Sequence, residues 1–94
     1  MAYLKRYIIE RDIPGVGSMS LIELCGAARS SNQAINKVGT KIQWVHSYVA
    51  NNKTFCVYLA ESEAAVVEHG ELSGIPVNKI TEISSIIDPL TANN

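Results

Sequence analysis

The chain has 94 residues, 47% of them hydrophobic and 18% charged, which fits one small globular domain and excludes wholesale disorder. Eight basic residues against nine acidic ones leave a net charge of −1, so the electrostatic footprint of a nucleic-acid or anionic-membrane partner is missing. No apolar run reaches the ~18–20 residues needed to span a bilayer, and Met1 to Arg6 lacks the apolar core of an export signal, so a cytoplasmic location is expected.

Tyr3 to Asp12 is rich in β-branched and aromatic residues and predicts a first strand. Ile13-Pro14-Gly15-Val16-Gly17 ends it as a plain turn, without the third glycine or the lysine of a phosphate loop. Ser20-Leu21-Ile22-Glu23 is a capping box opening a helix over about Ser20 to Val38, closed by Gly39. Its apolar residues, Leu21, Leu24, Cys25, Ala28, Ile35 and Val38, keep helical spacing, so Cys25 is expected on the packing face.

Ile42 to Ala50 and Thr54 to Ala60 predict two strands of a hairpin around Asn51-Asn52-Lys53, since asparagine tolerates positive φ. A two-residue loop would set Val57 opposite His46 and mix polar with apolar residues on both faces. A three-residue loop pairs Ala50 with Thr54 and segregates them. It places Val45, Ser47, Val49, Phe55, Val57 and Leu59 under the helices, and Trp44, His46, Tyr48, Cys56 and Tyr58 on the other face. The second register is the expectation.

Ser62 caps a second helix, Glu63 to Ser73, with Ala65, Val66, His69 and Leu72 along one side and an interior Gly70 that costs about 1 kcal/mol against alanine. Lys79 to Ile87 alternates as a last strand, stopped by Asp88-Pro89. Residues 1–89 thus read as one domain and 90–94 as a loose tail. The order βαββαβ predicts an α+β, ferredoxin-like fold: a four-stranded antiparallel sheet with both helices on one face. Two cysteines hold no iron–sulfur cluster, so the name concerns topology alone.

The uncovered face carries the chemistry in this reading. His46 and Cys56 become diagonal neighbours, with α-carbons roughly 7–8 Å apart. Imidazole and thiolate suit zinc, nickel or copper, and a further ligand from another element or subunit must complete the site. The plainer reading is an aromatic dimer interface of Trp44, Tyr48 and Tyr58 in which His46 only makes a hydrogen bond. His69 is a half-buried packing residue or an additional ligand, and Glu68 with Glu71 is a solvated acidic face or a weak cation grip. No G-x-S-x-G elbow supports nucleophilic catalysis.

Several segments together resemble a known family. Tyr7-Ile8-Ile9-Glu10-Arg11-Asp12-Ile13-Pro14-Gly15, Gln43-Trp44-Val45-His46-Ser47-Tyr48, Cys56-Val57-Tyr58, Glu68-His69 and Ile87-Asp88-Pro89 are similar to small bacterial nickel-responsive, ferredoxin-like domains of otherwise unknown function. The resemblance implies a homodimer that binds nickel or another divalent transition metal without an established enzymatic activity. Expected metal residues are His46, Cys56 and His69, with Trp44, Tyr48 and Tyr58 as the ligand or dimer face. The alternative is a small dimeric enzyme holding an organic substrate against the open sheet. A buried apolar cavity over Trp44 and Tyr58, with no metal affinity, would favour it.

Overall fold

Alternation of Tyr7, Ile9 and Arg11 with Ile8 and Glu10 builds the first strand, β1 (Lys5–Asp12), in a computed structural model that describes residues 3–39 and 41–93. Pro14 and Gly15 turn the chain out of it, Gly15 with φ at 76°, and one 3₁₀ turn (Val16–Ser18) leads into α1 (Leu21–Val38). The capping box forms as expected. The Glu23 amide donates to Ser20 Oγ and the Ser20 amide to Glu23 Oε1, each at 3.2 Å. Then come β2 (Ile42–Val49), β3 (Lys53–Ala60), α2 (Glu63–Ser73) and β4 (Lys79–Ile83).

The strands form one antiparallel sheet in the order β2-β3-β1-β4. Both helices lie on one face, for Ser31 of α1 and His69 of α2 each reach Tyr58 of β3. This is the ferredoxin-like α+β fold. Its core joins Tyr7, Ile9, Ile42, Tyr58 and Ala60 of the sheet to Val38, Ala65 and Val66 of the helices. Each large aliphatic side chain buried there stabilises by about 1.5–3 kcal/mol. Among the described residues no helix is long and apolar enough to cross a membrane.

Two glycines are fixed by close approach. A Cβ on Gly17 would stand 2.7 Å from Ala50 O, because the loop after β1 grips the hairpin tip. The Gly17 amide donates to Asn51 O, and the Ile13 amide to Asn52 O, both at 2.9 Å. In α2, a Cβ on Gly70 would meet Val77 Cγ2 at 2.6 Å, which explains a glycine inside a helix.

Three local expectations are corrected. Cys25 is exposed. The helix packs through Leu24, Ala28, Ser31, Ala34 and Val38, and its first turn extends past the core, leaving Leu21 and Ile22 more than four-fifths exposed. The last strand stops at Ile83, opposite Arg6 near the start of β1, not at Ile87. Beyond it, Pro89–Asn93 forms a 3₁₀ turn closed by the Thr91 amide donating to Asp88 Oδ1 at 3.1 Å, with no buried residue. Leu72 is exposed at the end of α2, whereas Ala65, Val66 and His69 are buried as their spacing predicts.

Candidate functional site

The hairpin register decides which side chains meet. Val49 pairs with Thr54, and the Ala50 amide donates to Lys53 O, so the loop is the two residues Asn51-Asn52. No non-glycine residue among those described has positive φ, so the turn closes without the left-handed asparagine expected of it. His46 faces Val57, Ser47 faces Cys56, and Trp44 faces Tyr58, with a bulge at Val45 between them. The three-residue loop is therefore wrong. Trp44, Cys56 and Tyr58 lie under the helices, while His46, Tyr48, Phe55, Val57 and Leu59 lie on the uncovered face. His46 and Cys56 are on opposite sides of the sheet and are not neighbours.

The bulge has a local reason. It turns Ser47 to the same side as Trp44, where its hydroxyl accepts from the indole Nε1 at 3.0 Å. Buried tryptophan N–H groups need such a partner. Trp44 then stacks on Tyr58, with ring centroids 6.5 Å apart.

Behind Tyr58 lies a buried polar chain. Ser31 Oγ sits 3.0 Å from Tyr58 Oη and 3.2 Å from His69 Nε2, and Ser31 O is also 3.2 Å from that nitrogen. A carbonyl only accepts, so Nε2 carries the proton and Nδ1 is left as a bare acceptor. That Nδ1 is the one buried side-chain N or O atom without a partner among the described residues. Burial lowers the His69 pKa below the ordinary histidine value, the hydrogen bond to Ser31 opposes this, and the charge of Arg11 adds to it. His69 is therefore neutral near pH 7. Burial likewise raises the Tyr58 phenol, and its contacts with Ser31 and Arg11 offset part of the rise.

Arg11 is itself only 2% exposed. It donates to Ile75 O at 3.2 Å, and no carboxylate among the described residues forms an ion pair with it. Beside it a cavity of about 450 Å³ opens between α1 and the sheet. Trp44, Cys56, Tyr58 and Ser31 line it, with Met19 and Ile75 among its apolar walls. The Cys56 thiol donates to Thr54 Oγ1 at 3.6 Å.

On the far side of the sheet His46 is exposed and stands edge-on to Tyr48, ring centroids 5.0 Å apart. Lys53 bridges Glu10 at 3.3 Å and Asp12 at 3.5 Å there. His46, Cys56 and His69 thus occupy three separate places. Among the described residues no three His, Cys, Asp or Glu side chains converge as a metal cage requires. The orphaned Nδ1 of His69 does not fit a cation either, since the nearby guanidinium repels one. A single copy of the chain offers a divalent metal one accessible imidazole, that of His46.

Sequence reasoning missed Arg11 and Ser31. Both had signals: Arg11 shares the period-two face of Tyr7 and Ile9, and Ser31 shares the helical face of Ala28 and Ala34.

The profile of a family described as nickel responsive protein, SCO4226-like, matches residues 7–83. The solved structure of SCO4226 from Streptomyces coelicolor A3(2) is similar, with a TM-score of 0.71 and 16% identity over 87% of this chain and 99% of that one. At that identity the likeness speaks for the fold alone. No curated protein sequence matches the chain.

Proposed function

Since the chain belongs to the SCO4226-like family of nickel responsive proteins, we propose that it is a homodimeric, non-catalytic protein that binds nickel or another divalent transition metal, to sequester it or respond to it. The observation that carries this reading is the position of His46, the exposed one of the two histidines, on the sheet face that no helix covers. Neutral imidazole suits nickel, copper and zinc. Ile8, Phe55 and Leu59 remain half-buried and Tyr48 61% exposed on that face. A second copy packed there would cover them, and a two-fold axis passing beside His46 would bring the two imidazoles together. A second His46, with water, then supplies what one chain lacks.

Calorimetric titration with nickel chloride tests this, alongside sedimentation equilibrium. Wild type should bind metal at neutral pH, bind it less on acidification because only neutral imidazole ligates, and sediment at twice the chain mass. His46→Ala should abolish binding and His69→Gln should leave it intact. Unchanged binding in His46→Ala would end the reading. A second reading, capture of an organic molecule, is supported by the cavity over Trp44 and Tyr58, which lies on the helix side of the sheet and not on its open face.

A further inference from the structure

We propose that the cavity between α1 and the sheet binds a small organic carboxylate, with its carboxyl group on the Arg11 guanidinium and its apolar body against Trp44, Met19 and Ile75. The inference rests on the organic-ligand reading of this cavity and is independent of metal at His46. Its first ground is an unbalanced charge. Arg11 is 2% exposed, its hydrogen bond goes to the neutral carbonyl of Ile75, and no carboxylate among the described residues pairs with it. A buried charge is costly unless paired, and a guanidinium presents a planar fork of donors that matches a carboxylate in two parallel bonds.

The second ground is the space beside that charge. At about 450 Å³ it falls within the roughly 300–1,000 Å³ of small-molecule sites, and its walls are mostly apolar with a few polar groups, Arg11, Ser31 and Tyr58 among them. A bare inorganic anion would pair with Arg11 and leave the apolar walls of Trp44 and Met19 against water. A cation is repelled.

The third ground is the direction of the hydrogen bonds. His69 Nε2–H donates toward Ser31, which frees the Ser31 hydroxyl to donate to Tyr58 Oη. The Tyr58 proton is then available to a carboxylate oxygen held by Arg11. The orientation assigned to Ser31 makes Tyr58 a donor to the ligand and Arg11 its counter-charge.

The test uses phenylacetate and hexanoate as probes, with phenylacetamide and hexanol as neutral counterparts. Binding is read by calorimetry and by the emission of Trp44, the single tryptophan of the chain and a wall of the cavity. The acids should bind and quench or shift the emission, and the neutral counterparts should bind at least about tenfold more weakly, as loss of a charge-assisted pair implies. Arg11→Gln should lose a similar factor for the acids and nothing for the neutral compounds. Ala28→Phe, which keeps Arg11 and fills the cavity from α1, should abolish binding, with circular dichroism checking that each variant is folded. Equal affinity for acid and amide would overturn the carboxylate assignment while leaving an apolar site. No binding of any probe at millimolar concentration would overturn both, and so would undiminished binding to folded Ala28→Phe.

Discussion

One histidine stands on each side of the sheet, His69 from α2 and His46 from β2, and the contrast between them is instructive. On the helix side His69 is fully buried, neutral, tied to Ser31 and in ring contact with Tyr58 at 4.8 Å. On the uncovered side His46 has an aromatic edge contact with Tyr48 and is open to solvent. The same residue type is a structural member of a polar core in one place and a solvent-accessible imidazole in the other. Neighbouring charge separates them further, for Arg11 stands near His69, whereas Lys53 on the open side is neutralised by Glu10 and Asp12. Burial and field, not residue identity, decide which histidine can meet a metal.

The contrast is sharpest for aromatic truncation. Tyr58→Ala should cost about 3–5 kcal/mol in urea unfolding, because it opens the core and strands the Ser31 hydroxyl. Tyr48→Ala, on a side chain 61% exposed, should stay within about 0.5 kcal/mol for the monomer. Comparable costs at the two positions would break the division of faces. Next in size is Ser31→Ala, expected to destabilise by about 1–3 kcal/mol by leaving Tyr58 and part of His69 without a partner. Ser31→Thr is the informative companion, since it keeps the hydroxyl.

A smaller effect is expected from pH. The His69 pKa is lower in the folded chain than the ~6.5 of an unperturbed histidine, so in the window between the two values the unfolded chain binds the extra proton. The stability from neutral His69 is present above that window and is lost as pH falls through it. Unfolding free energy should therefore decline on acidification below about pH 6.5, and His69→Gln should flatten that part of the profile. An unchanged slope in the variant would show that another group sets it. Smallest of all is His46→Ala, which should shift stability by no more than about 0.5 kcal/mol while changing metal binding completely.

Much of the fold was legible because its signals are local. The capping box at Ser20 and Glu23, the cap at Ser62 and the Ala65-Val66-His69 spacing each act within a turn or two of helix, and all appear where expected. The hairpin register was not. Segregating polar from apolar residues presumed unbroken alternation and a helix-facing side with few polar groups. Val45 breaks the alternation with a bulge that no glycine or proline marks. The covered face in turn admits polar groups because they pair: Ser31 with Tyr58, Ser47 with Trp44, Thr54 with Cys56. The apolar strip of Phe55, Val57 and Leu59, which looked like core, is instead the underside of the sheet. There Val57 is buried between its strand partners Ile8 and His46. Arg11 escaped notice because a lone strand arginine reads as solvated until its neighbours are placed around it.

The most direct test of the two-face account is nuclear magnetic resonance of the two imidazole rings during titration with nickel(II), whose paramagnetism broadens nearby signals. The ring resonances of His46 should broaden at the first additions, and those of His69 should persist unbroadened. Broadening of His69 ahead of His46, or of neither ring, would contradict the claim that the uncovered sheet face presents the metal-accessible histidine.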